Sequence, residues 1–291
     1  MIERVYLEFY LTYHCNLKCA NCSVGSPYID PTFYTDFEQF KTDIDNLAKH
    51  MRVHTIRLLG GEPTLHPDIV KYMKYIHESE LTITGVNVAT NGIALKTMPP
   101  EFWQYIHKCN ISEYKNTGIN YEKLYEWLDD NNYPYNKVHE LMRDSCMHDY
   151  WLENYGEEWV ESAQGPVWSF KELELYQESK PEVAQEIYTN CPSKDTVHAF
   201  NNGKYYNCGF SIHRNIHYDS MGIDLPYDFR ETDGIVIDND FTENYYNLIN
   251  SKDININACR WCKGYGQKTS EISDWIPHRQ LTTTEIQEKK K

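Results

Sequence analysis

The chain has 291 residues, of which 41% are hydrophobic, and a formal net charge of −15. This length and apolar content suit one large α/β domain or two unequal domains and exclude a disordered composition. The excess of acidic residues repels phosphate backbones and anionic lipid, so neither nucleic acid nor a membrane is an expected partner. Because the sequence has no apolar run of about 18–20 residues and no signal-peptide pattern, a cytoplasmic location is expected.

Strand-like and helix-like segments alternate four times in the first 130 residues. Strands are predicted at 5–12, 53–59, 81–89 and 109–114, and helices at 33–51, 66–76, 99–108 and 121–130. Thr35 and Glu38 have the spacing of a capping box at the start of the first helix. The alternation predicts an α/β fold with a parallel sheet, whose ligands bind at the carboxyl ends of the strands.

The chain contains nine cysteines, an odd number that cannot close into a complete set of disulfides. In a reducing compartment, metal binding or catalysis is the expected role of such residues. Cys15, Cys19 and Cys22 follow the first strand with the spacing C-x3-C-x2-C. Three thiolates on one loop can hold an iron–sulfur cluster and leave one iron open for chemistry. A zinc site is the alternative, although zinc prefers four ligands and only His14, adjacent to Cys15, lies nearby.

A second pattern, Gly60-Gly61-Glu62-Pro63, follows the second predicted strand. Two glycines let the backbone approach a ligand closely, and the Glu62 carboxylate can accept hydrogen bonds from an ammonium group. An ordinary turn at the end of a strand explains the same residues when they are considered alone.

Together, these two motifs resemble the signature of the radical S-adenosylmethionine (SAM) superfamily. The resemblance implies that Cys15, Cys19 and Cys22 bind a 4Fe-4S cluster whose open iron chelates the amino and carboxylate groups of SAM. Reductive cleavage of SAM then yields methionine and a 5′-deoxyadenosyl radical. Asn21 is a departure, since an aromatic residue often occupies this position in the family.

The same resemblance implies which residues contact SAM. The glycine-rich turn, Gly60 to Pro63, looks like the motif that binds the SAM amino group. Thr90, Asn91 and Ser112 fall where family members place polar SAM contacts. The alternatives for these three are a turn cap and a serine inside the barrel.

Cys191, Cys208, Cys259 and Cys262 form the second group, which ends in a C-x2-C pair. A structural zinc suits four cysteines. Their order and spacing resemble the twitch module, the short form of the SPASM domain, and this resemblance implies an auxiliary 4Fe-4S cluster. Four thiolates leave no iron open, so such a cluster is expected to carry an electron.

These resemblances imply a partial (β/α)6 TIM-like barrel at residues 1–185, a small α+β module at residues 186–268 and a polar tail at residues 269–291. The segment 133–177 has no firm assignment. Cys109 and Cys146 belong to neither group and are expected to be ordinary thiols. The alternative is that one of them, Cys146 in preference, donates a hydrogen atom to a substrate radical.

The leading functional hypothesis is radical SAM dehydrogenation of an alcohol carbon on a carbohydrate or cyclitol, with the auxiliary cluster as electron acceptor. A second hypothesis is epimerisation or crosslinking of a peptide. A third, of another class, is a non-catalytic iron–sulfur or zinc scaffold. The expected partners are a carbohydrate-like small molecule or a peptide, and an external one-electron reductant such as flavodoxin or ferredoxin.

Overall fold

The computed structural model of the protein describes residues 1–19, 22, 24–114, 117–138, 178, 180–189, 191, 194, 197–251, 256–262 and 280–290. Its strands are β1 Ile2–Thr12, β2 Met51–Gly60, β3 Gly85–Thr90, β4 Lys108–Ile111, β5 Tyr135–Lys137, β6 Ala199–Asn201, β7 Lys204–Tyr206 and β8 Ile235–Val236. Its α-helices are α1 Phe37–His50, α2 Ile69–Glu78, α3 Pro100–Tyr105, α4 Tyr121–Asp130, α5 Pro181–Thr189, α6 Phe210–Asp219, α7 Phe229–Thr232, α8 Phe241–Ile249 and α9 Thr283–Lys289.

The strands form one sheet in the order β5-β4-β3-β2-β1-β6-β7-β8. Neighbouring strands from β5 to β6 in this order run parallel, whereas β7 is antiparallel to β6 and β8. The predicted α/β class with a mainly parallel sheet is therefore confirmed. The last parallel strand, β6, pairs with β1 rather than with β5.

The two faces of the parallel sheet differ in polarity. Leu7, Phe9 and Leu11 alternate along β1 and are fully buried in a core that includes residues of α1. Phe9 lies 4.6 Å from Phe40 of α1, measured between ring centroids. The intervening positions of β1, such as Glu8, point to the opposite face because side chains alternate along a strand. Apolar residues therefore fix the helices on one face and leave the other face for polar groups.

The start of α1 differs from its prediction. The N-cap is Asp36, whose side chain accepts a hydrogen bond from the Gln39 backbone N–H at 2.7 Å. The Thr35 hydroxyl instead donates to the carbonyl of Leu11 at 2.7 Å. The capping-box prediction was wrong because Thr35 attaches the chain to β1 before the helix begins.

No helix in the described part of the chain is long and apolar enough to cross a lipid bilayer.

A buried carboxylate joins α1 to the hairpin of β6 and β7. Asn202 and Gly203, at the hairpin turn, both have positive φ angles, 53° and 79°. The Asp43 carboxylate accepts hydrogen bonds from the Gly203 N–H at 2.9 Å and from the Gln39 side chain at 2.8 Å. Residues that are 160 positions apart are thus held together.

Burial raises the pKa of Asp43 from 3.8 to about 6, although its hydrogen bonds oppose the shift. Ionised Asp43 therefore lowers the stability of the folded state, and this loss develops as the pH rises from about 4 to about 6. Asp43→Asn keeps an oxygen for Gly203 but removes the titration. Relative to the wild type, the free energy of unfolding of the variant should rise by about 1–3 kcal/mol from pH 4 to pH 7 in urea titrations. Parallel pH profiles for the two proteins would contradict this role.

Candidate functional site

The first cysteine group lies on the loop that follows β1. The Cys22 N–H donates to the Cys19 carbonyl at 3.2 Å, and the Gly25 N–H donates to the Cys22 carbonyl at 3.1 Å. The thiols of Cys15, Cys19 and Cys22 are half-buried and form no disulfide. These hydrogen bonds form tight turns at the described residues of the loop, and its three cysteines remain partly exposed after the carboxyl end of β1.

The glycine–glutamate turn is pressed against the start of this loop. The Gly61 N–H donates to the Thr12 carbonyl and the Glu62 N–H to the His14 carbonyl, each at 2.7 Å. A Cβ atom added to Gly61 would lie 2.3 Å from the His14 carbonyl oxygen, a distance that no side chain tolerates. Gly60 has a φ angle of +146°, which L side chains rarely adopt. Glycine is thus required here for both close approach and backbone conformation.

The Glu62 carboxylate forms hydrogen bonds with residues at the end of β3. Its Oε1 atom accepts from the Thr90 hydroxyl at 2.7 Å and from the Thr64 hydroxyl at 2.5 Å. Its Oε2 atom accepts from the Asn91 N–H at 2.7 Å. Burial raises the pKa of Glu62, and these hydrogen bonds offset part of the rise. The Asn91 side chain also donates to the Asn16 side chain at 2.8 Å, which joins this network to the cysteine loop.

Ser112 lies one residue beyond β4, and its N–H donates to the Thr90 carbonyl at 2.9 Å. The Tyr121 hydroxyl bridges the same region, since it accepts from the Tyr114 N–H at 2.9 Å and donates to the Asn91 carbonyl at 3.1 Å. The structure therefore brings Glu62, Thr90, Asn91 and the backbone of Ser112 together at one edge of the sheet.

Tyr114 is a site residue that the sequence did not reveal. Burial is the largest cause that raises its pKa, and the negative charges of Cys19, Cys15 and Cys22 raise it further. The phenol is therefore within electrostatic range of the three thiols. The sequence could have indicated this role, because Tyr114 comes shortly after the carboxyl end of β4. The predicted strand instead extended to Tyr114, so the residue was not considered part of the site.

Gln280 is a second residue that the sequence did not indicate. Its side-chain amide donates to the Cys19 sulfur at 3.2 Å and accepts from the Lys18 N–H at 2.5 Å. The Leu281 N–H also donates to the Lys18 carbonyl at 2.7 Å. A segment near the C-terminus thus covers one side of the cysteine loop, 261 residues away in sequence from Cys19.

The electrostatics of the loop favour binding of a positively charged metal centre. Burial, followed by the charges of Cys22 and Glu62, raises the pKa of Cys15, and burial raises that of Cys19 to about 12. Three clustered thiols ionise readily only when a metal compensates their charge. A donor set of three thiols fits an iron–sulfur cluster. Among the described residues, no three Cys, His, Asp or Glu side chains are arranged to hold a single metal ion.

The second cysteine group also converges. Cys191 follows α5, Cys208 precedes α6, and Cys259 and Cys262 lie at a 3-10 turn, Asn257–Trp261. Burial raises the pKa of Cys259 well above its ordinary value, with further increases from Cys208, Cys262 and Cys191 in that order. Each of the other three thiols is therefore near enough to Cys259 to influence its charge.

Asp233 fastens this second group and was also missed from the sequence. Its Oδ2 atom accepts from the Ala258 N–H and the Ser211 hydroxyl, each at 2.9 Å. Its Oδ1 atom accepts from the Asn257 N–H at 2.8 Å. This carboxylate ties the turn that carries Cys259 to the first turn of α6.

Helix α6 connects the two cysteine groups. It begins two residues after Cys208, and His217 near its end is fully buried. A Cβ atom added to Gly25, three residues after Cys22, would lie 2.5 Å from the His217 ring. The same ring stacks on Tyr28 at 5.5 Å between centroids. One helix thus packs against both loops.

Of the two cysteines outside these groups, the structure describes one. Cys109 is fully buried within the core on β4, which fits the expected structural thiol. Cys146 lies outside the described residues.

Gly61→Ala should push the cysteine loop away from β2, because the new methyl group has no space beside the Tyr13 and His14 carbonyls. We expect the thiols of Cys15, Cys19 and Cys22 to react with an alkylating reagent about tenfold faster in the metal-free protein, as followed by mass spectrometry. Gly118→Ala is the control for backbone strain away from the loop, since its φ of +76° disfavours alanine but its added Cβ has no neighbour within 4 Å. Equal alkylation rates in Gly61→Ala and the wild type would refute the close approach.

Asp233→Ala would leave buried donors of Ser211, Asn257 and Ala258 without their acceptor. The free energy of unfolding should fall by about 2–4 kcal/mol in denaturant titrations. Asp238→Ala is a matched control, because the exposed Asp238 side chain accepts one hydrogen bond from the described residues, from the Asp240 N–H at 3.0 Å. A loss no larger than that of the control would show that Asp233 does not fasten the turn.

Comparison with known proteins bears on the first of these sites. The GTP 3′,8-cyclase of Limosilactobacillus fermentum is 33% identical over 92 residues, which cover 31% of this chain and 27% of the cyclase. Mycofactocin maturase MftC of Mycobacterium tuberculosis is 36% identical over 89 residues, which cover 31% of this chain and 22% of MftC. The chain thus spans about a quarter of the length of these relatives.

A structure of BtrN in complex with AdoMet and 2-DOIA aligns over 96% of this chain and 98% of BtrN, with 14% identity and a TM-score of 0.47. Residues 9–146 match the family model of the Radical SAM superfamily. This segment includes the cysteine loop, the glycine–glutamate turn and strands β2 to β5. Residues 9–146 are therefore similar to the Radical SAM superfamily, whose members use SAM and a 4Fe-4S cluster.

Proposed function

We propose that the chain is a radical SAM oxidoreductase that oxidises an alcohol carbon of a carbohydrate or cyclitol. The observation that carries the proposal is the attachment of the Cys15–Cys22 loop to the Glu62 turn, together with the Asp233 hydrogen bonds that hold the Cys259 turn against the helix after Cys208. The first feature suits radical generation. The second suits removal of one electron, which an oxidation requires.

Cys15, Cys19 and Cys22 would hold the first cluster, and the Glu62 turn would hold the SAM amino group. When bound, the cluster and SAM supply a 5′-deoxyadenosyl radical that takes a hydrogen atom from a substrate C–H bond. Glu62 Oε2 accepts one hydrogen bond within the described structure, from Asn91, and so retains acceptor capacity for an ammonium group. Thr90 and Asn91 keep that carboxylate oriented.

Cys191, Cys208, Cys259 and Cys262 would hold the auxiliary 4Fe-4S cluster. Oxidation of an alcohol to a ketone removes one hydrogen atom, one proton and one electron. A centre with four protein thiolates has no open coordination position, so its suitable role is to accept that electron. Asp233, which fastens the turn carrying Cys259, would keep the four sulfurs in position.

The order and spacing of the late cysteines resemble those of SAM-dependent 2-deoxy-scyllo-inosamine dehydrogenase, and this resemblance favours dehydrogenation. We further propose that residues 1–185 form a partial barrel, residues 186–268 a twitch-like module and residues 269–291 a tail. The enzyme would act in the cytoplasm with an external reductant such as flavodoxin or ferredoxin. Peptide modification, by epimerisation or crosslinking, is the second candidate.

The cluster assignment can be tested by iron analysis after anaerobic reconstitution. The wild type should bind about seven to eight irons per chain, and both Cys19→Ala and Cys259→Ala should retain about four. Cys109→Ala, which changes a cysteine outside both groups, should bind as much iron as the wild type. A wild type with about four irons and one zinc would assign zinc to the late site and remove the electron-acceptor role.

The reaction is tested by incubation with SAM and dithionite under anaerobic conditions. The wild type should release 5′-deoxyadenosine, and Cys19→Ala should release none. With a substrate, the wild type should yield a product two hydrogens lighter, whereas Cys259→Ala should bind SAM but not turn over. Failure of the wild type to cleave SAM would overturn the proposal. A product that has the mass of the substrate in H2O, and that takes up deuterium in D2O, would indicate epimerisation instead.

A further inference from the structure

The C-terminal segment that begins at Gln280 is paired with the cysteine loop through its backbone. Cys19 and Gln280 form an isolated antiparallel bridge, and the Leu281 N–H donates to the Lys18 carbonyl at 2.7 Å. The Leu281 side chain is 4% exposed and packs in one cluster with Tyr28, which is fully buried. The segment is thus attached to the loop by contacts that do not involve the Gln280 side chain.

The chain leaves this contact in a fixed direction, because a capping box starts α9 directly after Leu281. The Thr282 hydroxyl accepts from the Glu285 N–H at 3.2 Å, and the Thr282 N–H donates to the Glu285 carboxylate at 2.7 Å. Ile286 of the same helix packs against the cluster of Tyr28 and Leu281. Gln280 is therefore held between a backbone bridge and a capped helix.

The orientation of the Gln280 amide is determined by its two partners. Its Oε1 atom accepts from the Lys18 N–H at 2.5 Å, and its Nε2 atom donates to the Cys19 sulfur at 3.2 Å. The flipped amide would place its NH2 group against the Lys18 N–H and its oxygen against the sulfur, and so would lose both bonds. The N–H donor is therefore directed at the sulfur of a proposed cluster ligand.

Hydrogen bonds to ligating sulfurs are among the factors that set the potential of an iron–sulfur cluster. Reduction adds negative charge, part of which lies on the sulfurs, so the bond from Gln280 to Cys19 is stronger in the reduced state than in the oxidised state. The Cys15 sulfur also accepts a hydrogen bond, from the Leu17 N–H at 3.4 Å. That donor belongs to the backbone, whereas the Gln280 donor is a side chain that a substitution can remove.

We propose that Gln280 is a positioning residue that acts through Cys19 to raise the reduction potential of the proposed SAM-binding cluster, and this inference rests on the proposed function. The external reductant supplies the one electron that this cluster takes up before SAM is cleaved. The amide of Gln280 makes that uptake more favourable. A residue 261 positions from Cys19 therefore adjusts the first step of radical formation.

The test is a redox titration with dithionite and mediators, followed by electron paramagnetic resonance of the reconstituted protein without SAM. All samples carry Cys259→Ala, so that the signal comes from the first cluster. Gln280→Leu removes the donor at nearly constant size. Its equilibrium constant for reduction should be about tenfold below that of the parent, which is about 59 mV for a one-electron couple. Gln280→Glu keeps an acceptor for the Lys18 N–H but places a carboxylate beside Cys19, so it should lower the potential at least as much.

The matched control is Gln287→Leu, which makes the same chemical change at an exposed position on α9. Its equilibrium constant for reduction should stay within about twofold of the parent. Both Gln280 variants should retain about four irons per chain, and their signals should still change when SAM is added. If one variant does not load its cluster, the other decides the outcome.

A parental potential in the Gln280 variants would overturn the inference. Loss of the cluster from both of them would also overturn it, because Gln280 would then be needed to retain iron rather than to adjust its potential. The absence of a 4Fe-4S signal from the iron-loaded parent would instead overturn the proposed function, and the inference with it. The two failures are therefore distinguished by the parent protein alone.

Discussion

The structure depends on a short extension of the pairing between β1 and β2 beyond the sheet. The N–H groups of Gly61 and Glu62 donate to the carbonyls of Thr12 and His14, and this contact fixes the cysteine loop relative to the Glu62 carboxylate. Two strands that are remote in sequence thereby deliver a set of sulfur donors and a buried carboxylate to one place. Only glycine permits that approach, because a side chain at Gly61 would collide with the backbone carbonyls before the cysteine loop. The same backbone contact therefore fixes the course of the chain and the position of the site residues.

The second half of the chain is joined to this edge through the sheet and through α6. Strand β6 adds to β1, and α6 extends from the Cys208 loop to the underside of the first cysteine loop at Gly25. Asp233 then holds the Cys259 turn on the same helix. The two cysteine groups are therefore parts of one connected framework, as the proposed transfer of an electron from the substrate to the late group requires.

Much of the first half could be predicted because its signals are local. The apolar periodicity of α1 and the C-x3-C-x2-C and Gly-Gly-Glu spacings are short patterns, and each falls where the structure has the corresponding element. Tyr114, Gln280 and Asp233 were missed because their roles come from contacts between distant segments, such as the 261-residue separation of Cys19 and Gln280. The pairing of β6 with β1 also joins segments that are distant in sequence. Its register consists of one residue pair, Glu8 with Ala199, which leaves no pattern to recognise in the sequence.

The central claim is that the loop of Cys15, Cys19 and Cys22 holds an iron–sulfur cluster whose open iron is positioned by the Glu62 turn to take SAM. It is tested most directly by electron paramagnetic resonance of the anaerobically reduced Cys259→Ala protein, in which the auxiliary site is disabled. The account predicts a reduced 4Fe-4S signal that changes its g values when SAM is added. A 4Fe-4S signal that SAM leaves unchanged, or the absence of such a signal from iron-loaded protein, would contradict it.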